Sequence, residues 1–154
     1  MVIKKNKRFV NIGHSRVGGQ VKIMEKIIKD GVCPFCWEHF TQYHPKPIIK
    51  KNKHWLLTEN AWPYKGATKH FIFVAKRHIA HVKDLTLDEW GSLLTLIKFC
   101  TKKNKVTSGA FLIRFGMPKI TGASVTHLHG HIVMGGKKTK NSKPLLITAG
   151  YQKK

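Results

Sequence analysis

The sequence predicts an α+β protein built on an antiparallel sheet of about five strands. Three observations predict it. Apolar, β-branched and aromatic stretches follow one another along the chain, mostly joined by short loops; one strongly amphipathic helix interrupts them; and the strand–helix alternation of a parallel sheet is absent. A length of 154 residues with 42% hydrophobic and 10% aromatic content suits one ordinary domain with a real core, over residues 20–154, behind a basic N-terminal arm over residues 1–19.

Taken in order, the arm ends at Gly18-Gly19, which reads as a break. From Gln20 to Lys29, Val21, Met24, Ile27 and Ile28 recur at helical spacing and Gly31 supplies the stop, so a short helix is expected to deliver the chain into Cys33. His44-Pro45-Lys46-Pro47 reads as a connector, His54–Thr58 and His70–Ala75 as strands, and Asn60–Gly66 as the loop between them. Thr86-Leu87-Asp88-Glu89 has the form of a capping box that opens a helix over residues 86–105, with Leu87, Trp90, Leu93, Leu94, Ile97 and Cys100 on one face. Ala110–Phe115 reads as a strand, Gly116–Gly122 as a turn, residues 123–134 as a strand, Gly135–Lys140 as a flexible basic loop and Leu145–Thr148 as a last edge strand.

Lys and Arg number 29 against 7 Asp and Glu, a formal charge of +22, so the expected ligand or partner is anionic: a nucleotide, a polyphosphate, or RNA or DNA held through the basic arm. The cationic start Met1–Arg8 is followed by no apolar run, and none approaches the roughly 18 residues a membrane span needs, so a cytoplasmic protein with no membrane partner is expected. Three cysteines form no disulfide framework, which agrees with a reducing compartment.

Two motifs carry chemistry. His127, His129 and His131 alternate along the predicted strand and so project from one face, where adjacent imidazoles make a phosphate or metal site, while Leu128, Ile132 and Met134 face the core and Gly130 leaves room for a close approach. Cys33-Pro34-Phe35-Cys36 has three readings. A redox pair is disfavoured because a Lys-rich helix and a glycine precede it rather than a buried strand. Half of a zinc site completed by histidines is the better account, and two inert core cysteines are the plain one.

These residues resemble the histidine triad family of nucleotide hydrolases and transferases. His127-Leu128-His129-Gly130-His131-Ile132-Val133 matches its His-x-His-x-His followed by two apolar residues. Asn60-Ala61-Trp62-Pro63 resembles its ribose-binding loop, His70–Val74 with Lys76-Arg77-His78 its strand ending in a basic-basic-His, and Gly122-Ala123-Ser124 its approach to the triad. The resemblance covers about residues 33–134 in the family's order and implies a nucleotide substrate, often a homodimer, and covalent catalysis at an α-phosphate. It assigns the nucleophile to His129 and charge stabilisation or leaving-group protonation to His131. Asn60 would hold the ribose. Ser124 would be a phosphate donor, or else a strand-start hydroxyl satisfying local backbone. Zinc-binding members imply a structural zinc on Cys33, Cys36, His78 and His127, with His81 the nearest competitor; His39, His44, His54 and His70 read as surface or strand-end residues. Two departures matter. Many hydrolases of the family have an Asn where this chain has Gly116, and its transferases often have Gln where this chain has His131. The expected activity is hydrolysis of nucleoside phosphoramidates or dinucleoside polyphosphates. The alternatives are a dinucleoside polyphosphate phosphorylase or nucleotidylyltransferase and, from another class, a basic nucleic-acid-associated protein.

Overall fold

A computed structural model of the chain describes residues 9–15 and 18–153. Five strands, β1 (Ile48–Lys51), β2 (Trp55–Glu59), β3 (Lys69–Ala75), β4 (Ala110–Arg114) and β5 (His129–Met134), form one antiparallel sheet in the order β1-β2-β3-β5-β4. The helices are α1 (Gly18–Asp30), α2 (Phe40–Tyr43), α3 (Leu87–Lys103) and α4 (Pro118–Thr121). The expected α+β class with about five antiparallel strands is what the chain adopts.

Phe71 to Ala75 of β3 are all buried, because both faces of this central strand are covered. Alternation divides the residues between the two faces. Phe71, Phe73 and Ala75 join Trp55, Leu57, Leu93, Leu96, Cys100, Leu128 and Ile132 under α3, whereas Ile72 and Val74 pack with Leu56 and Phe40 on the opposite face. That second face also carries His129 and His131, which are paired in register with Val74 and Ile72.

The capping box is present in both halves: Thr86 Oγ1 accepts from the Glu89 N–H, and the Glu89 carboxylate accepts from the Thr86 N–H. The apolar face of α3 differs from the expected one. Glu89, Leu93, Leu96 and Cys100 are buried, while Leu87 is 90% exposed and Leu94 51%. Glu89 turns the helix, because its carboxylate takes two hydrogen bonds from Arg77, Nε and a terminal nitrogen each at 3.0 Å, and its carbonyl accepts from the buried Trp55 indole at 2.9 Å.

The Arg77 hydrogen bonds hold the Glu89 carboxyl down to about 2 from an ordinary value of 4.5. The folded pKa is depressed, so this stabilisation is fully present above about pH 4.5 and is lost as pH falls through about 2. Glu89→Gln, which keeps a capping residue, is expected to melt about 5 °C below the parent at pH 6, from a loss of about 2 kcal/mol. The gap closes as the scans move toward pH 2; a gap independent of pH would mean that the ion pair contributes nothing.

Other boundaries shift. Residues 1–8 and 16–17 of the basic arm lie outside the described residues. Residues 9–15 pack on the body: Val10 is buried and bridges Val125, the Asn11 N–H donates to Ser124 O at 2.8 Å, and the Thr126 N–H donates to Phe9 O at 2.7 Å. Gly18-Gly19 begins α1 rather than breaking the chain, and Ile28, expected on its buried face, is 40% exposed while Gln20 is buried. The expected strand over 123–134 is regular only from His129. No strand forms over Leu145–Thr148; this tail instead packs Thr148 beside Gly122 and gives its carbonyl to Arg114. No helix among the described residues is long and apolar enough to cross a membrane.

Candidate active site and metal centre

The three alternating histidines serve two places rather than one face. His127 precedes β5 and turns to the Cys-x-x-Cys loop, and only His129 and His131 face the cavity beneath α1. At the first place, His127 Nδ1 lies 3.3 Å from Cys33 Sγ, 3.8 Å from Cys36 Sγ and 3.2 Å from His78 Nδ1, and Cys36 Sγ lies 3.3 Å from His78 Nδ1. In a zinc tetrahedron, with bonds of about 2.05 Å to nitrogen and 2.3 Å to sulfur, neighbouring ligand atoms are about 3.3–3.8 Å apart. The four donor atoms all fall within 4.8 Å of one another. His127 donates its other ring nitrogen, Nε2–H, to Ala75 O at 2.6 Å, which leaves the Nδ1 lone pair for the cluster, the outer-shell arrangement of a metal-bound histidine.

Burial holds the His127 imidazole down to about 3, so it stays neutral as a ligand must. Burial also pushes both thiols up, Cys36 to about 12 with help from the Cys33 charge, a bias toward the thiol that a bound cation would have to reverse. His81 does not compete, since its Nδ1 accepts from the Lys83 N–H and caps the following turn, with its ring against Phe115.

At the second place, the cavity is walled by Gln20, Ile23, Met24 and Ile27 of α1, by Pro34 and Phe35 of the cysteine loop, and by Asn60, Trp62, Arg114, Ser124, His129 and His131. His129 donates Nδ1–H to its neighbour's carbonyl, His127 O, at 2.6 Å, so the lone pair is on Nε2. The Phe35 ring meets the His129 ring edge-on at 4.9 Å and 89°, which fixes the plane of the imidazole.

His131 takes the opposite tautomer, and the reason is a backbone amide. The Tyr64 N–H can only donate, and it points at His70 Nδ1 at 3.2 Å, so the His70 proton is on Nε2. That proton is directed at His131 Nδ1, 2.9 Å away, which leaves the His131 proton on Nε2. Adjacent rings 4.9 Å apart thus offer one lone pair and one N–H donor. Tyr64 stacks on His70 at 4.5 Å, and Asn60 is turned inward, its Oδ1 accepting from the Trp62 N–H at 2.9 Å and its Nδ2 lying 3.1 Å from His70 Nε2. Asn60 and Ser124 both reach the cavity wall.

The reading of His70 and His44 as surface or strand-end residues is corrected. Both are buried, His44 bonded to Glu59 O and stacked on Phe40, and His70 hydrogen-bonded to His131. His70 precedes a run of five apolar residues and is on the cavity face of β3, a signal that depends on knowing that β5 is its neighbour. Tyr64, Phe35 and Arg114 were likewise missed. They come from a loop, a turn and an edge strand with no motif of their own.

A family model described as "Scavenger mRNA decapping enzyme C-term binding" matches residues 33–143, which includes every ligand of the cluster and both cavity histidines. The chain belongs to this histidine triad family. Solved structures of histidine triad proteins share the fold. A zinc-bound family protein from Mycobacterium smegmatis is 16% identical with a TM-score of 0.55, covering 78% of this chain and 84% of its own. A histidine triad nucleotide-binding protein from Candida albicans is 19% identical with a TM-score of 0.55, covering 73% and 87%. A diadenosine triphosphate hydrolase from Plasmodium falciparum is 20% identical with a TM-score of 0.50, covering 64% and 65%. Comparison with curated proteins gives no match. His127, the first of the three alternating histidines, sits with Cys33, Cys36 and His78, and its carbonyl orients His129.

Proposed function

We propose that this chain is a nucleotide hydrolase of the histidine triad type, cleaving nucleoside phosphoramidates or dinucleoside polyphosphates at the α-phosphate through a nucleotidyl-His129 intermediate. The observation that carries the reading is the pair of opposite tautomers on His129 and His131 within one cavity. The His129 Nε2 lone pair attacks phosphorus, the bond to the leaving group breaks, and the leaving atom departs with the electron pair, as a phosphate anion from a dinucleotide or, taking up a proton from solvent, as a neutral amine from a phosphoramidate. His131 Nε2–H donates to the phosphate oxygens as their charge grows, with Ser124 a further donor and Asn60 at the ribose end. Water then attacks phosphorus, the electron pair returns to Nε2, and the proton left over from water goes to solvent. The donor set of Cys33, Cys36, His78 and His127 fits a structural zinc, which would brace the loop carrying Phe35 and leave the chemistry to the histidines.

Incubation with adenosine and guanosine phosphoramidates and dinucleotides, with products identified by mass, tests the proposal. Nucleoside monophosphate from both substrate types is expected. In phosphate buffer, ADP in place of AMP from diadenosine tetraphosphate would identify phosphate as the acceptor and replace hydrolysis by phosphorolysis. Release of no nucleotide from any substrate would sink the assignment.

A further inference from the structure

In the β4–β5 ladder Arg114 is directly opposite His129, so the two side chains share the sheet face that looks into the cavity. Among the described residues lining that cavity, Arg114 alone carries a fixed charge. Its guanidinium is held in place by neutral groups: Nε donates to Thr148 O at 2.8 Å and one terminal nitrogen to the Tyr64 hydroxyl at 2.8 Å. None of the ion pairs among the described residues involves it. A half-buried arginine oriented at both ends of its fork and left without a carboxylate is prepared for an anion supplied from outside.

We infer that Arg114 is a specificity residue that binds the phosphate next to the one attacked, and that it selects substrates whose leaving group is itself a phosphate over those that release an amine. This rests on the proposed attack by His129. In that step the bond from the α-phosphorus to the bridging oxygen breaks, and the departing phosphate keeps the electron pair. It leaves as an anion that needs a cation rather than a proton, which a permanently charged guanidinium supplies. A phosphoramidate releases a neutral amine, to which Arg114 offers little.

Two measurements on Arg114→Ala and Arg114→Lys test the inference. In the first, the ratio of kcat/KM for diadenosine tetraphosphate to that for adenosine 5′-phosphoramidate falls by about 10–100-fold in Arg114→Ala, the size expected for a lost charge-assisted hydrogen bond, and by less in Arg114→Lys. In the second, calorimetric titration in a His129→Asn background, the preference for ADP over AMP collapses to within about threefold in Arg114→Ala. Equal losses on both substrates and both nucleotides would mean a structural role, and unchanged ratios no role; either overturns the inference. If the parent turns over neither substrate, the hydrolase reading fails while the ADP-to-AMP ratio still decides the role of Arg114. If Arg114→Ala does not fold, a severalfold fall of that ratio in Arg114→Lys is required.

Discussion

His129→Asn is expected to lower turnover at least about a thousandfold, a loss of roughly 4 kcal/mol of transition-state stabilisation, while nucleotide binding changes by only a few-fold. The asymmetry follows from the geometry. The cavity walls that would hold base, ribose and phosphate come from α1, Asn60, Trp62, Ser124 and His131, none of which the substitution touches. What is removed is a lone pair presented on Nε2 because Nδ1–H is committed to His127 O at 2.6 Å. An acid-labile nucleotide adduct, mapped by mass spectrometry after quenching, should fall on His129 in the parent and be absent in the variant. Activity within about tenfold of the parent would make covalent catalysis by this residue wrong and leave direct attack by water as the better account.

The second large effect concerns the metal centre. One zinc per chain is expected by elemental analysis of protein purified without chelator. Cys33→Ser should lose it, because a serine hydroxyl is a poor substitute for a thiolate in a four-donor site. Chelation of the parent should lower Tm by about 10 °C or more, as several kcal/mol of metal binding are withdrawn from the folded state. Cys33, Cys36, His78 and His127 join the segment before α2, the end of β3 and the entry to β5, so the ion would tie three distant parts of the chain. Metal retention should weaken as pH falls, since protons compete for both thiolates. The same treatment should reduce activity, because Phe35 stands between the cluster and His129, with its ring 6.2 Å from that of His127 and 4.9 Å from that of His129. Zinc near zero, or a Cys33→Ser protein with full metal and full Tm, would dismiss the site.

The contrast between what was legible and what was not has a physical pattern. The sequence alone determined the antiparallel α+β class, the capping box at Thr86, and strands β2, β3 and β4 to within one residue at each end, because each depends on interactions a few residues long: a hydroxyl and a carboxylate three positions apart, or alternation along a pleat. The alternation also brought out the two histidines of the cavity, whereas the four residues of the cluster came from the resemblance to the histidine triad family. Helix α3 was found but its buried face was misread, because the pull of Arg77 on Glu89 comes from the segment after β3 and the bond from Trp55 comes from β2. Only the tertiary structure decided that His70 sets the tautomer of His131, that α1 roofs the cavity, and that Arg114 stands beside His129. The first and the last of these relations depend on β5 inserting between β3 and β4. That strand order is set by burial summed over the whole sheet and leaves no mark on any short stretch of sequence.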